Sequence, residues 1–361
     1  MTRVSQPDSL RKQLVPHSRP QLGEQERAAV LATMDRSWVG AGGEATRELE
    51  FALMTMFSRP AAMAVSSGSA ALEVALRVVD VAGELVAIPA FACSSIERAV
   101  VRSGGRPWLV DADPSDLSFP PGILRSLAGR CKAAIMVHQF GLPAVAAAAE
   151  EVADLPMTVI EDATTCIGGR LMGRAVGGFG RLAVMSFSAT KMVCGGEGGA
   201  VLGSLDDVEA ARRWIDPESD LPPDAPVPHA KMPDMSCAVA RVQLTRLPEF
   251  VSRRMEIARL YDEALGGESY RVPRAAAGCT GTWWRYLVAV AGDAADAVEQ
   301  GQANGISLSR PVSGRRWEAS GSFPVSDRLH RTLVSVPIYP SLTDSEVNRV
   351  RRTLREVARI K

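Results

Sequence analysis

The residues best able to do chemistry in this 361-residue chain centre on Lys191, in the segment Met185-Ser-Phe-Ser-Ala-Thr-Lys191-Met-Val-Cys-Gly-Gly-Glu-Gly-Gly199. Five lysines, at positions 12, 132, 191, 231 and 361, stand among 41 basic residues, and the rest are arginine. A chain that uses arginine for its ordinary positive charges keeps an internal lysine for something a guanidinium cannot do. Arginine stays protonated and forms no Schiff base, whereas lysine can lose its proton and attack a carbonyl. Ser186, Ser188 and Thr190 lie within five residues, and hydroxyls beside such a lysine suit a phosphate. Taken alone, the segment reads equally well as a surface lysine on a tight, glycine-rich hairpin.

A second element is Val159-Ile160-Glu161-Asp162, an apolar strand delivering two carboxylates at its C-terminal end, followed by Ala163-Thr164-Thr165-Cys166-Ile167-Gly168-Gly169. Acidic residues at strand ends are commonplace. A buried one can also pair with a protonated pyridine nitrogen and keep it charged, which a pyridoxal ring needs to act as an electron sink. The 29-residue interval from Asp162 to Lys191 holds one connection and one strand, so both can face one pocket. The third element is Val65-Ser-Ser-Gly-Ser69-Ala-Ala-Leu72, a strand entering a helix through Gly68, Ser69 and Ala70. Free N–H groups and the helix dipole there can hold a phosphate. An N-cap serine is the plain alternative, and no G-x-G-x-x-G dinucleotide fingerprint stands there.

The elements that must position these residues are short apolar runs alternating with helical patterns between about 60 and 205. Strands are expected at Ala62–Val65, Leu85–Ile88, Pro107–Val110, Ala133–Val137, Met157–Ile160, Leu182–Phe187 and Ala200–Leu202, with amphipathic segments such as Ser69–Val79, Ser94–Arg102 and Val145–Ala153 between them. This is the βαβ signature of an α/β fold, a parallel or mixed sheet with helices on both faces and ligands at the carboxyl ends of its strands. A polar, proline-rich stretch from about 206 to 235 reads as an exposed loop and the domain exit. Beyond it, a long helix at Ser236–Leu265, strands at Trp284–Val290, Ile306–Ser309 and Leu333–Pro337, and helices at Ala294–Asn304 and Asp344–Ile360 predict a small C-terminal α+β domain. The domains are therefore expected at 1–235 and 236–361.

Forty-one acidic residues balance the 41 basic ones, so no global field exists to hold a nucleic-acid backbone or an anionic membrane surface. Six well-separated cysteines without a CxxC pair, and four histidines without HxxxH spacing, indicate neither a disulfide framework nor a metal site. No run approaches 18 apolar residues and the first residues lack a signal-peptide core, so the chain is expected to be cytoplasmic.

Together the motifs VIEDA, GR-x-x-G-x-FG and SFSATK…GGEGGAVLGS resemble the DegT/StrS sugar aminotransferases. The resemblance extends through VPHSRPQLGEQE at 15–26, SSGSAALEVAL at 66–76, IPAFACSS from 88, HQFGLPA at 138–144, KMPDMSCAVARVQLTRL at 231–247 and VSVPIYPSLTDSEVNRV at 334–350. It implies fold type I, with a mostly parallel seven-stranded sheet, and pyridoxal 5′-phosphate (PLP) as cofactor. Lys191 then matches the Schiff-base lysine and Asp162 the partner of the pyridine nitrogen. Gly68, Ser69, Ala70 and Ser186 match the phosphate contacts. Relatives with histidine in place of the lysine are dehydratases, so transamination is expected here, from L-glutamate or glutamine to a nucleotide-linked keto-deoxy sugar.

Departures from the family pattern gather at the site. Ser188 stands where SFH is common, Thr165 where Gln is, and Cys93 where a ring-stacking aromatic is, leaving Phe91 as the nearest aromatic. The N-x-R-M element that reaches a partner subunit's phosphate reads His229-Ala-Lys231-Met232, and the W-H pair reads Trp284-Arg285. The resemblance implies a homodimer with composite sites. Trp38, in the loop Trp38-Val-Gly-Ala-Gly-Gly43, Phe91, Lys231 and Arg310 are candidate substrate contacts, with Arg315 and Arg316 near the last. Trp283 and Trp284 read as core anchors. Two other classes stay open: a PLP enzyme acting on a cyclitol or another ketone or by other chemistry, and a non-catalytic PLP-binding regulator.

Overall fold

A computed structural model describes residues 14–147, 152, 155–216, 218–219, 229–266, 272–314 and 322–358. Two helices, α1 (Glu24–Asp35) and α2 (Glu44–Phe57), precede the sheet. Then β1 (Ala61–Val65), α3 (Gly68–Val79), β2 (Leu85–Pro89), α4 (Ser94–Arg102), β3 (Arg106–Val110), α5 (Ile123–Leu127), β4 (Ala133–Val137) and β5 (Thr158–Asp162) follow in βα order. The short pair β6 (Arg170–Leu171) and β7 (Arg174–Ala175) leads to β8 (Leu182–Ser186) and β9 (Gly199–Gly203). The seven-stranded sheet runs β1-β9-β8-β5-β4-β2-β3, with β9 antiparallel to both neighbours and the other strands sharing one direction.

The strands are apolar throughout because both faces are covered. Alternate residues serve opposite faces. Met63, Val65, Ile135, Val137, Val184 and Val201 pack with α3 and α4, whereas Ala62, Ala64, Ala183, Met185, Ala200 and Leu202 pack on α2 and a long helix that follows. The expected loop from 206 to 235 is corrected at its start, since α6 (Leu205–Arg213) is a helix. Ser204 caps it by accepting the Asp207 N–H, and Val208 and Ala211 are buried under its polar face.

The long helix α7 (Asp234–Leu265) carries Pro248 near its middle. Its first half joins the sheet core through Cys237, Ala240, Leu244 and Leu247, while Ile257, Ala258, Tyr261 and Leu265 belong to another core. That second core gathers β11 (Tyr286–Ala289), α8 (Ala294–Ala303), β12 (Leu333–Val336) and α10 (Asp344–Val357), together with Val15. β10 (Cys279–Thr280) extends the β6–β7 pair, and α9 (Pro324–Thr332) precedes β12. The expected strand at Ile306–Ser309 reduces to two isolated bridges, Ile306 with Val15 and Ser309 with Ser335. Of the helix expected at Val145–Ala153, the described residues show a 3-10 turn at Val145–Ala147 and helical backbone at Val152, and the rest lies outside them. Thr343 caps α10 in a reciprocal arrangement with Glu346.

Candidate active site

Neighbouring strand ends bring the main candidates to one edge of the sheet. Val65, Gly199 and Ser186 stand in register across β1, β9 and β8, and Asp162 registers with Val184 on the far side of β8. The turn after β1 presses against the end of β8. A Cβ on Gly68 would lie 2.7 Å from the Ser186 Cβ, and one on Gly199 would lie 2.6 Å from the Ser67 carbonyl. Both glycines are therefore demanded by close approach. Ser67 is the N-cap of α3, its Oγ accepting the Ala70 N–H at 3.1 Å. Of the three turn residues among the predicted phosphate contacts, Ala70 is thus already bonded, while Gly68 and Ser69 keep first-turn N–H groups with no acceptor in the helix.

Lys191 follows on the turn after β8, its N–H bonded to the Ser188 carbonyl at 2.9 Å. Its Nζ donates to Thr164 Oγ1 at 3.4 Å and lies 4.7 Å from the centre of the Trp284 ring. Burial lowers the Lys191 pKa from the ordinary 10.5; the charges of Asp162 and Cys93 raise it, and Arg285 lowers it further, with a net downward shift. The environment thus favours the neutral, nucleophilic amine. Asp162 is buried at the end of β5, and its Oδ1 accepts the Thr164 N–H at 3.0 Å. Thr164 therefore ties the carboxylate to the amine through its backbone on one side and its hydroxyl on the other.

Trp284 is held over Lys191 by a second set of contacts. Its Nε1 donates to the Thr190 carbonyl at 2.8 Å, its ring stacks on Phe140 at 6.2 Å, and the Arg285 guanidinium lies 4.3 Å from its centre. Phe140 has φ 55 and Gly141 φ 97, which folds the chain after β4 tightly against residues 282–285. Thr282 N–H bonds the Gly141 carbonyl and Arg285 N–H the Phe140 carbonyl, at 2.9 and 3.1 Å. Buried Arg254 of α7 supports the same turn from behind, donating to the carbonyls of Trp283, Trp284 and Ile338.

The remaining candidates separate. Ser186 is buried, Ser188 is half-buried, and the Ser188 N–H points to Ser186 Oγ at 3.5 Å. Cys93 is exposed as the N-cap of α4, with Ser95 Oγ donating to its thiol. The Thr165 hydroxyl donates to the His138 carbonyl at 2.6 Å and accepts the Phe140 N–H at 3.1 Å, so in this structure it serves the backbone of that tight fold. Phe91 is a correction to the expected substrate contacts, because it has no exposed surface and lies in the core, 6.1 Å from Phe140. His229 is exposed, and Lys231 pairs with Asp216 at 3.6 Å while bridging Val65. No contact among the described residues joins either to Lys191 or Asp162. Trp38 is 56 % exposed, its indole N–H on the Ala41 carbonyl. Arg310 is bound to Asp293 at 2.6 Å, at the start of α8. Arg315 and Arg316 lie outside the described residues.

Sequence reasoning passed over Thr164, Phe140 and the site-facing role of Trp284. The signals were present in the threonine two residues after Asp162, a spacing at which an aspartate side chain bonds the backbone, and in the Trp283-Trp284 doublet, read as core alone.

The donor set fits a PLP group. A glycine-lined cradle with first-turn N–H groups and serine hydroxyls suits a phosphate, Asp162 suits a pyridinium, and Lys191 suits a carbonyl. Among the described residues no helix is long and apolar enough to cross a membrane. Comparisons with known proteins agree. The chain is 28 % identical over 363 aligned positions to a dTDP-4-dehydro-2,3,6-trideoxy-D-glucose 4-aminotransferase of Saccharopolyspora spinosa, covering 92 % of this chain and 93 % of that one. The aminotransferase TlmJ of Streptoalloteichus hindustanus superposes with a TM-score of 0.83 at 28 % identity, over 95 % of this chain and 98 % of that one. The PLP form of the sugar aminotransferase Spr1654 of Streptococcus pneumoniae shares the fold, with a TM-score of 0.86 at 21 % identity over 96 % of this chain and 98 % of that one. The family model for the DegT/DnrJ/EryC1/StrS aminotransferases matches residues 20–355. The chain belongs to this family, and it is a PLP-dependent aminotransferase.

Proposed function

We propose that the chain moves an amino group from an amino acid, L-glutamate or glutamine, to the keto group of a nucleotide-linked keto-deoxy sugar, in the making of an amino sugar or related natural product. The observation that carries the chemistry is the convergence of Lys191, Thr164 and Asp162 at the carboxyl ends of β5 and β8. The sugar class is supported by the relative from Saccharopolyspora spinosa, which is named for such a substrate.

When bound, PLP supplies an electron sink that stabilises charge at the donor's Cα. Lys191 would hold the cofactor until the donor arrives and, once freed, its neutral amine would take the Cα proton and return it to the cofactor's C4′. Asp162 would keep the pyridine nitrogen protonated. Gly68, Ser69, Ser186 and Ser188 would bind the phosphate, and Trp284 would limit the swing of Lys191. Residues 1–235 form the cofactor-binding part on this reading, and 236–361 a smaller part that delivers Trp284 and Arg285.

The working unit proposed is a cytoplasmic homodimer with composite sites. Leu31, Met34, Trp38, Val39 and Phe51 expose large apolar side chains on α1, α2 and the loop between them, as a subunit interface would require. Across that interface His229 and Lys231 would reach a neighbour's site. None of the six cysteines is in a disulfide, in keeping with a reducing compartment.

The test is an absorbance spectrum of the purified protein with PLP, beside Lys191→Ala, with and without borohydride, then with L-glutamate. The expected result is a near-visible band that borohydride traps on Lys191 and that L-glutamate bleaches, followed by amine formation on one member of a panel of nucleotide-linked keto-sugars. Absence of any Lys191-dependent band would overturn the enzymatic reading. Bleaching followed by amination only of cyclitol ketones would overturn the sugar.

A further inference from the structure

Arg285 is a cation with no anionic partner among the described residues. Its Nη1 donates to His17 Nδ1 at 2.8 Å, and the His17 Nε2 lies 3.0 Å from both Ser335 Oγ and Ser309 Oγ. Burial first, and the Arg285 charge second, hold the His17 pKa down at about 3, so the ring is a neutral acceptor that orients the guanidinium without offsetting its charge. No carboxylate pairs with Arg285 among the described residues. Burial alone acts on its pKa, lowering it to about 10, so the group stays protonated near neutrality. An uncompensated, half-buried guanidinium is costly to keep unless a ligand supplies the anion.

Its position says which anion. The Arg285 guanidinium and the Lys191 amine both lie over the Trp284 ring, 4.3 and 4.7 Å from its centre, so the two groups are at most about 9 Å apart. A carboxylate whose oxygen is bonded to the guanidinium at ~2.8 Å places its own Cα two bonds beyond that oxygen, ~1.2 and ~1.5 Å long. A lysine amine approaching that carbon needs ~3–3.5 Å more. Together those steps can bridge a separation up to about that limit. We propose that Arg285 is the receptor for the α-carboxylate of the amino donor, held in place by neutral His17. The proposal rests on the aminotransferase reading above and adds the residue that selects an amino acid as donor and presents its Cα to Lys191.

The probe is glutarate, a dicarboxylate that has no amine to transfer, titrated calorimetrically into the PLP-loaded enzyme. Arg285→Gln is expected to weaken glutarate at least about tenfold, the scale of a lost charge-assisted contact, with Arg285→Lys between it and the parent. The concentration of L-glutamate giving half the maximal bleaching rate should rise by a similar factor, and by more than any change in the half-reaction with the keto-sugar. Equal glutarate binding by parent and Arg285→Gln would overturn the proposal. So would an effect confined to the keto-sugar half-reaction, which would assign the carboxylate to the acceptor. Failure of the parent to form its Lys191 band would instead strike the catalytic reading, because the glutarate titration is read without turnover.

Discussion

Glu161 and Asp162 are adjacent on β5, both buried, and belong to different economies of the molecule. Glu161 is enclosed by partners. His138 Nε2 lies at 3.0 Å, the N–H groups of Gly177 and Gly180 donate at 2.8 and 2.7 Å, and the Arg59 guanidinium stands at 3.4 Å. Burial pushes its carboxyl up, but the bonds from His138, Gly180 and Gly177 outweigh that and hold it below the ordinary 4.5. Asp162 accepts one side-chain hydrogen bond among the described residues, from Thr164, and otherwise faces Lys191. Alternation along the strand points one carboxylate into the fold's own scaffold and leaves the other with unused acceptor capacity at the strand end. Satisfied buried charge holds structure, whereas charge left with spare valence is available for chemistry.

The largest effect that can break this comparison is on Glu161. Glu161→Gln leaves Arg59 buried opposite a neutral group and should lower the unfolding free energy by about 3–5 kcal/mol, read by denaturant titration, while activity per folded molecule persists. The acid limb sharpens it. Because the folded Glu161 carboxyl sits below its unfolded value, its stabilisation is fully present above about pH 4.5 and is lost as pH falls through the folded pKa. The variant should therefore lose stability less steeply with acid than the parent. Next in size, Asp162→Asn should cut turnover by about 10²–10³-fold, as for a lost electrostatic partner, with little change in unfolding. If the two variants exchanged these phenotypes, the division of labour would be wrong.

Gly68→Ala comes third. The added methyl meets Ser186 Cβ at 2.7 Å, so the turn must shift, at about 1–3 kcal/mol. The cofactor's dissociation constant, titrated on the apoenzyme, should carry most of that cost.

The sheet was legible because strands covered on both faces read as unbroken apolar runs, and Ala61–Val65, Leu85–Pro89 and Ala133–Val137 met the reading within a residue or so. That Lys191, Asp162 and Gly68 would come to one edge of the sheet was legible for another reason: each follows or closes an apolar strand, at the end where such sheets gather their loops. Where polarity was the signal, reading failed. The α6 sequence LDDVEAARR looks like loop because one buried stripe of two apolar residues carries it. The Trp284 contact with Lys191 was out of reach, since it depends on a tertiary junction in which Phe140 and Gly141 take positive φ against residues some 140 positions away. Periodicity describes an element's own faces and says nothing of such a meeting.

Thr165 tests that junction with the smallest expected effect. The family position suggests a cofactor contact, but both hydrogen-bonding capacities of the hydroxyl are engaged by backbone, one at the His138 carbonyl and one at the Phe140 N–H. Thr165→Val keeps the shape and removes both bonds, for about 1–2 kcal/mol of stability at roughly 1 kcal/mol each. Because Phe140 stacks on Trp284, and Trp284 covers Lys191, the loosened turn should also slow the borohydride-trapped band's formation slightly while leaving PLP affinity as in the parent. The opposite pattern, weaker PLP with unchanged unfolding, would return Thr165 to the cofactor and show that the tight fold after β4 stands without its hydroxyl.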